Sequence, residues 1–290
     1  MASIRPSEGL PPEGIKEVLA NYHELYTIQD SSQFAVIKIG GELLDDPEQQ
    51  ELIAEDLHWL TEVGLYPVVL HGGGVQIDRK LKEQGIDTSK DDGIRSTSPI
   101  ASLVIPGVLS DINASLVESI NATKTSASGI TEGVFSATIS DPNDFASIDE
   151  LKTSVLAIKG AIAEKRIPVV SCAGTMALTR SVAIKYLQPV NINADNAAGA
   201  LAVALGVKKY ISLTRVGAVL DDKLAPIPRL TAAEAEQMIA SGHIDGGMIP
   251  KVRQAIELIS QGIEHAVIAS PENLLAELFT DKGSGTLIKR

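Results

Sequence analysis

The sequence predicts an α/β protein with an open, mainly parallel central sheet and crossover helices on both faces. Short apolar runs alternate along the chain with segments in which apolar residues recur at helical spacing, as in repeated βαβ units. Gly, Pro and polar residues separate the two kinds of segment. With 290 residues and 44% apolar content, the chain can bury a large core as one elaborate domain or two lobes.

Five apolar runs are predicted strands and define the centre of the sheet. Each is preceded or followed by Gly, Pro or polar residues, which favour turns at strand ends. The predicted strands are residues 34–39, 66–70, 167–171, 210–213 and 265–269.

The segments between these strands are predicted helices. Residues 48–63 and 251–261 carry apolar residues on one face and end at Gly64 and Gly262, which are favourable helix stops. Residues 149–165, 194–205 and 101–122 follow the same pattern, and 123–143 alternates as hairpins would. Residues 14–26 form a further candidate helix, either a solvated leader or an arm that docks on another subunit.

Composition excludes several functions. The net charge of −12 and the pI near 4.9 oppose binding to nucleic acid or anionic membranes. The single cysteine, Cys172, permits no disulfide framework and is predicted to be a buried structural residue in a reducing compartment. No apolar stretch is expected to span a bilayer, and residues 1–12 lack the features of a signal or transit peptide. A soluble, cytoplasmic protein is the expectation.

Two lysines stand at unusual places. Lys38 lies in a predicted buried strand, where an unpaired ammonium would cost several kcal/mol, unless it reaches solvent at the sheet edge. Lys251 lies at a predicted helix start, where the backbone dipole favours negative charge, although many such lysines are simply solvated. Both positions are explained if an anion lies between the lysines, and we infer a phosphoryl group.

Other residues could complete such a site. Glycines follow the first two strands, at the edge where open α/β sheets bind ligands, and neither turn matches a P-loop or a Rossmann motif. Asp195 could orient the two lysines, while Asn193 or Asp195 could instead be only an N-cap. Arg95 could pair with a carboxylate, or lie at the surface. The histidines lack metal-ligand spacing, so we expect no metal held by protein side chains.

Five motifs occur in one order along the chain. They are Lys38-Ile39-Gly40-Gly41, His71-Gly72-Gly73-Gly74, Asp92-Gly93-Ile94-Arg95, Asn191-Ile192-Asn193-Ala194-Asp195 and Gly246-Gly247-Met248-Ile249-Pro250-Lys251. This set, which spans residues 34–288, resembles the amino acid kinase family and especially its members that phosphorylate N-acetyl-L-glutamate. Residues 34–38 and 133–135 also resemble the kinase-like domains of N-acetylglutamate synthases and bifunctional synthase/kinases.

The resemblance implies an αβα sandwich of two lobes that share one sheet. Residues 1–30 would be a helical extension, 31–200 the lobe for N-acetyl-L-glutamate and 201–290 the lobe for ATP with Mg²⁺. The implied catalytic residues are Lys38, Lys251 and Asp195. The implied substrate-binding residues are Gly72, Gly73, Arg95, Asn191 and Asn193. The implied phosphate-binding or nucleotide-binding residues are Lys38, Gly40, Gly41, Thr214 and Lys251.

Arginine-inhibited members of the family add an N-terminal helix that links dimers into hexamers, and a C-terminal signature resembling residues 277–283. The resemblance therefore implies a homo-oligomer, built from dimers as a tetramer or hexamer, with an arginine effector near Glu277 and Gly283. A glycine that caps a helix would equally explain Gly283.

The sequence also departs from the family. Arg215 stands where an acidic residue usually follows Leu-Thr, and Ala218 stands where glycine is usual. These departures keep a second hypothesis open, an arginine-binding regulatory domain of a synthase or bifunctional protein. In such proteins an acetyltransferase domain would follow at Arg290. Another carboxylate or phosphate kinase of the same fold is a third hypothesis.

Overall fold

The computed structural model describes residues 34–91, 94–141, 143–177, 187–279 and 283–290. The predicted helix at 14–26, the motif residues Asp92 and Gly93, and residues 280–282 of the effector signature lie outside the described residues.

The described strands form a main sheet, a smaller mixed sheet and a short hairpin. In chain order they are β1 (Ala35–Ile39), β2 (Val68–His71), β3 (Lys90–Asp91), β4 (Ile94–Arg95), β5 (Ala127–Ile130), β6 (Phe135–Ile139), β7 (Ile148–Thr153), β8 (Ile167–Ser171), β9 (Ala173–Ala177), β10 (Leu187–Asn191), β11 (Lys209–Leu213), β12 (Arg229–Thr231), β13 (His265–Ala269) and β14 (Thr286–Lys289).

The helices of the described residues connect and cover these strands. They are α1 (Pro47–Glu62), α2 (Gly74–Glu83), α3 (Pro99–Ala122), α4 (Leu156–Ala163), α5 (Ala194–Leu205), α6 (Ala232–Ala240), α7 (Met248–Ser260) and α8 (Leu274–Phe279), with a 3₁₀ turn at Pro271–Asn273.

The main sheet confirms the predicted fold class. Its order over the described residues is β12-β14-β13-β11-β1-β2-β8-β5, and its neighbours are parallel except β13 with β14. The five predicted strands are the central five. The second begins at Val68 rather than at residue 66, because Pro67 has no N–H to donate to the ladder. All five residues of β1 are buried, as expected for a strand covered on both faces.

The sheet joins the two lobes. Four of its strands (β1, β2, β5 and β8) precede residue 200, and four (β11 to β14) follow it. The two groups meet along the β1–β11 ladder, where Lys38 lies beside Ser212. The expectation of two lobes that share one sheet is therefore confirmed.

Two predictions for the middle of the chain were wrong. Residues 148–153 form β7, and only Leu156–Ala163 is helical, because the backbone of β7 pairs with β6 in the order β10-β9-β6-β7. Local helical propensity is here overridden by strand pairing. The expected hairpins within 123–143 are also absent from its described residues: β5 pairs in parallel with β8, and β6 pairs with a strand beyond the segment.

Helix α3 corrects the prediction that no apolar stretch is long enough to span a bilayer. This helix of 24 residues is long and apolar enough to cross a membrane, judged by length and composition alone. No other helix among the described residues meets both criteria. Its buried face, however, packs against α1, α2 and the strands β5 and β8. It is therefore a core helix, in which Ser98 and Pro99 provide the start.

Candidate active site

Lys38 is buried in the middle of the main sheet and is paired. Its side chain is 3% exposed, and its Nζ lies 2.8 Å from Oδ1 of Asp195. The residue lies on β1, one residue before the strand ends, and so faces the carboxyl edge of the sheet. The alternative that this lysine reaches solvent at the sheet edge is excluded by its burial.

Asp195 lies in the first turn of α5, which packs over β1, and its side chain is 5% exposed. Asn193 caps the same helix, because its Oδ1 accepts hydrogen bonds from the N–H groups of Asp195 and Asn196 at 2.8 and 3.3 Å. The cap therefore fixes the backbone that carries the carboxylate. The N-cap role and the lysine-pairing role belong to two neighbouring residues.

Lys251 reaches the same carboxylate from the other lobe. Its Nζ lies 3.5 Å from Oδ2 of Asp195 and donates to the carbonyl oxygen of Gly247 at 3.0 Å. The side chain is 16% exposed, although it lies in the first turn of α7. We call Lys38, Asp195 and Lys251 the lysine clamp.

The clamp changes the acidity of its members. Burial alone would raise the pKa of Asp195, but the ammonium groups of Lys38 and Lys251 outweigh burial and hold that pKa below its ordinary value. Burial, and then the charge of Lys38, lower the pKa of Lys251, although Asp195 and Glu42 oppose the shift. The carboxylate is therefore ionised at neutral pH and offsets the repulsion between the two lysines.

The glycine loops after β1 and β2 touch each other at the edge of the sheet. A Cβ atom on Gly41 would lie 2.9 Å from the backbone nitrogen of Gly74, and one on Gly73 would lie 2.6 Å from Cδ1 of Ile112. Side chains at these two positions would force the loops or their neighbours apart. Close packing of the loops thus requires glycine even without a ligand.

Of the four glycines with implied binding roles (Gly40, Gly41, Gly72 and Gly73), two have N–H groups that already donate within the chain. The N–H of Gly40 donates to the carbonyl of Leu213 at 3.2 Å, and that of Gly72 donates to the carbonyl of Ile39 at 3.1 Å. Both bonds extend the sheet by one residue. Gly40 and Gly72 could therefore donate to a ligand only by giving up these bonds, whereas no such bond occupies the N–H groups of Gly41 and Gly73 in the described residues. The binding roles of all four glycines stay predictions.

Arg95 lines a cavity of about 150 Å³ that also contains the clamp. Its Nη1 donates to Asp78 on α2 and, at 3.0 Å, to Oγ1 of Thr88, while its Nη2 donates to the carbonyl of Gly74 at 3.0 Å. Burial would raise the pKa of Asp78, but Arg95 and Lys90 hold it below its ordinary value. The arginine is thus a fixed, buried cation beside the cavity.

Asn191 joins the same cavity from β10. Its Nδ2 donates to Oγ1 of Thr97 at 3.1 Å, and Thr97 in turn donates to the carbonyl of Arg95 at 3.3 Å. Asp144 accepts the N–H of Thr97 at 2.7 Å. This chain of bonds ties the strand that precedes Asp195 to the segment that carries Arg95. The sequence analysis did not identify Thr97, Asp78 or Asp144.

A second depression, of about 590 Å³, adjoins the cavity, and both are lined by Glu42 and Lys251. Thr214 lies at its base and is 3% exposed. Its Oγ1 accepts the N–H of Gly217 at 2.9 Å, and its own N–H donates to Ala269 at 2.9 Å. Thr214 therefore shapes the turn after β11. We call this depression the β11 groove.

The two residues that depart from the family pattern, Arg215 and Ala218, have different surroundings. Arg215 is exposed at the rim of the β11 groove, where its Nη2 donates to the carbonyl of Glu42 at 3.1 Å and lies 3.7 Å from Oδ2 of Asp46. Ala218 is buried, with 2% exposure. Arg215 therefore links the β11 turn to the loop after β1.

His71 and Cys172 are structural in this arrangement. Burial lowers the pKa of His71 to about 4, so the ring is neutral at pH 7. Its Nε2 lies 3.0 Å from Nδ2 of Asn113 and its Nδ1 lies 3.1 Å from the carbonyl of Gly72, which together require the proton on Nδ1. Burial raises the pKa of Cys172 to about 12, so its thiol is protonated and unreactive.

Glu277 and Gly283 lie next to each other, and neither lines the cavity that contains the clamp. A Cβ on Gly283 would lie 1.8 Å from Oε1 of Glu277, which also accepts the N–H of Gly285 at 2.7 Å. Burial raises the pKa of Glu277, although the Gly285 N–H and Lys209 oppose the shift.

The fold and the clamp define an α/β protein in which lysines from β1 and α7 pair with one buried carboxylate at the carboxyl edge of the sheet. The sequence model of the amino acid kinase family matches residues 33–270. The chain belongs to the amino acid kinase family, which uses ATP.

Relatives named acetylglutamate kinase include those of Pelagibacter ubique and Xanthomonas campestris. That of Pelagibacter ubique is 30% identical over 301 residues, covering 100% of this chain and 97% of its own length. That of Xanthomonas campestris is 36% identical over 276 residues, which are 94% of this chain and 62% of the relative. This chain thus spans less than two thirds of the Xanthomonas protein.

The fold is also similar to that of N-acetylglutamate synthase from Neisseria gonorrhoeae. Its complex with coenzyme A and N-acetyl-glutamate superposes with a TM-score of 0.77 at 21% identity, covering 97% of this chain and 64% of the synthase. Its complex with coenzyme A and L-arginine gives a TM-score of 0.75 at 20% identity, covering 97% and 66%. At these identities the likeness establishes the fold alone.

Proposed function

We propose that this chain is an acetylglutamate kinase, which transfers the γ-phosphoryl group of ATP to the side-chain carboxylate of N-acetyl-L-glutamate. The observation that carries the proposal is the position of the lysine clamp, where the cavity of Arg95 meets the β11 groove. A phosphoryl donor in one depression and an acceptor in the other would meet at the clamp. The names of the relatives supply the acceptor.

In this proposal the cavity lined by Arg95 binds the acceptor, and all of its lining residues except Lys251 lie before residue 200. Arg95 gives it a fixed positive charge, and Asn191 and Asn193 line the wall nearest Asp195. A buried arginine can pair with a carboxylate with little screening by water, but Asp78 already pairs with Arg95, so the carboxylate of the acceptor would share or displace that partner. The backbone N–H groups of Gly41 and Gly73 complete the polar lining.

The β11 groove, lined by Glu42 and by residues between 214 and 251, is the proposed site of ATP. Its volume of about 590 Å³ lies within the range of roughly 300–1,000 Å³ common for small-molecule sites. No group of three His, Cys, Asp or Glu side chains in the described ranges could hold a metal ion. Mg²⁺ would therefore arrive on the phosphates of ATP, where it neutralises part of their charge.

Lys38 and Lys251 would stabilise the negative charge on the transferring phosphoryl group. Asp195 would keep both ammonium groups at fixed positions, so that little reorganisation is needed when the charge develops. Phosphoryl transfer depends mainly on positioning and charge stabilisation, and the acceptor carboxylate is already a nucleophile. No general base is required in this mechanism.

The decisive experiment is an ATP-dependent acyl-phosphate assay with N-acetyl-L-glutamate, in which hydroxylamine traps the product. Aspartate and glutamate serve as control acceptors and test the hypothesis of another carboxylate kinase. Product with N-acetyl-L-glutamate and not with the controls would support the proposal. Absence of product from the folded protein at saturating MgATP would refute it.

A second candidate function is an arginine-binding regulatory domain. The observations that favour it are Arg215 at the rim of the groove and the close contact between Glu277 and Gly283. Arginine would then raise the melting temperature, because it binds the native state. Stabilisation by arginine together with inactivity in the hydroxylamine assay would favour this function, whereas both positive results would indicate an arginine-regulated kinase.

We further propose a homo-oligomer in the cytoplasm. On α3, Ile100 and Leu103 are 64% and 66% exposed, an apolar face that a second copy could cover. Light scattering coupled to size exclusion would measure the assembly size. A monomer at micromolar concentration would contradict this part of the proposal.

A further inference from the structure

Glu42 follows the first glycine pair and stands between the two depressions. It lines both the cavity of Arg95 and the β11 groove, so a group that bridges the two must pass its side chain. A Cβ on Gly40 would lie 2.5 Å from Oε1 and 2.6 Å from Oε2 of Glu42. Glycine at position 40 therefore leaves the space that the carboxylate occupies.

The charge of Glu42 acts on the clamp. Its carboxylate favours the ionised form of Lys251 and so opposes the lowering of that pKa by burial and by Lys38. Asp195 and Glu42 together place two negative charges near the two lysines. An incoming anion consequently meets a cluster whose charges are already balanced, which weakens its attraction.

Among the described residues, hydrogen bonds hold the backbone around Glu42 but not its side chain. Arg215 donates to its carbonyl, and the turn that contains it is closed by the bond from Leu43 N–H to the carbonyl of Gly40 at 3.1 Å. Within the described ranges, its carboxylate has no hydrogen-bond or ion-pair partner, and the residue is half-buried. A rotation of the side chain alone would clear the space over Gly40.

We propose that Glu42 is an internal counter-anion of the lysine clamp, which must swing aside when a phosphoryl group binds. Glu42 thereby competes with the ligand and determines how tightly the clamp holds phosphate chains. The inference rests on the proposed function only in taking a phosphoryl anion as the ligand. It requires neither a particular nucleotide nor a particular acceptor.

The test measures binding of metal-free inorganic tripolyphosphate by titration calorimetry in the presence of EDTA. The proteins compared are the full chain, Glu42→Gln and Glu51→Gln, which removes the same charge from an exposed position on α1. We expect Glu42→Gln to bind tripolyphosphate about tenfold more tightly, since a competing charge at short range is lost. Glu51→Gln should bind as the unaltered chain does.

Adding Lys251→Met to Glu42→Gln should abolish the increase in affinity for tripolyphosphate, because that increase depends on the positive charge of Lys251 in the lysine clamp. Unchanged or weaker binding by Glu42→Gln overturns the inference, as does equal tightening by Glu51→Gln or absence of binding in every protein. The hydroxylamine assay is read separately. If Glu42→Gln binds tripolyphosphate more tightly but the unaltered chain forms no acyl phosphate, the role of Glu42 is supported and the kinase proposal is refuted. If acyl phosphate forms but Glu42→Gln binds tripolyphosphate no more tightly, the kinase proposal is supported and the role of Glu42 is refuted.

Discussion

Gly199 on α5 lies directly against the side-chain amide of Gln254 on α7. A Cβ on Gly199 would lie 2.1 Å from Nε2 of Gln254. Gln254 is buried, with 6% exposure. The contact is one helical turn beyond Asp195 on α5 and three residues beyond Lys251 on α7. It therefore sets how closely the two helices approach beside the ion pair of the clamp.

Gly199→Ala should destabilise the protein by about 1–3 kcal/mol, because the added methyl group meets a buried side chain. This direction is opposite to that of intrinsic helix propensity, which favours Ala over Gly by about 1 kcal/mol. The matched control is Gly160→Ala in α4, where a Cβ meets nothing within 4 Å and the replacement should stabilise. Urea denaturation measures both.

The double variant Gly199→Ala/Gln254→Ala tests the cause. Removal of the Gln254 amide should recover most of the loss, which a double-mutant cycle reports as coupling between the two positions. A Gly199→Ala protein as stable as the unaltered chain would show that Gln254 moves aside without cost.

Lys38→Met and Lys251→Met should each lower the turnover of acyl-phosphate formation by about 100-fold or more, as removal of a charge-stabilising donor does. Binding of N-acetyl-L-glutamate, followed by thermal shift, should be nearly unchanged. Lys80→Met on the exposed side of α2 is the control. A clamp variant with undiminished turnover would remove that lysine from the mechanism.

The buried ring of His71 predicts a loss of stability in mild acid. Its folded pKa of about 4 lies below the ordinary 6.5, so the unfolded chain binds the proton more readily between these pH values. The contribution is fully present above pH 6.5 and is lost as pH falls toward 4, by about 3 kcal/mol in total.

Denaturation midpoints at several pH values measure this dependence. In His71→Gln, stability should fall less between pH 6.5 and 4.5 than in the unaltered chain, even if the variant is weaker overall. Parallel pH profiles for the two proteins would mean that other groups cause the acid sensitivity.

Gly283→Ala should abolish stabilisation by arginine, because a methyl group would occupy the position of the Glu277 carboxylate. Melting temperatures with and without arginine provide the measurement. Glu277→Gln is the companion variant, since it keeps the side-chain shape while removing its capacity for charge. Retention of the arginine-induced shift in both variants would exclude this region as the effector site.

The sequence predicted the central strands of the sheet well, but it did not predict the residues that contact the candidate site residues. The central strands were predictable because each is a short apolar run between turn residues, and Lys38 was conspicuous because a charge interrupts such a run. Strand β7 was missed because its side chains are half exposed and only pairing with β6 defines it.

The partners of the predicted site residues were beyond sequence reasoning for a different reason. Asp78 lies 17 positions from Arg95, and Thr97 lies 94 positions from Asn191. Nothing local distinguishes these polar residues from exposed ones. The role of Gly40 stays a prediction, because a glycine signals only that space is needed, and not whether a ligand or Glu42 fills it.

The β1–β11 ladder limits how the protein can move. Five consecutive residues of each strand are paired across the boundary between the lobes, from Ala35 with Lys209 to Ile39 with Leu213. A hinge motion that separated the two lobes along this boundary would break hydrogen bonds of the ladder at the buried centre of the sheet. If the ladder stays paired, ligand entry relies on movement of elements at the edge of the sheet, such as the glycine loops and the start of α7.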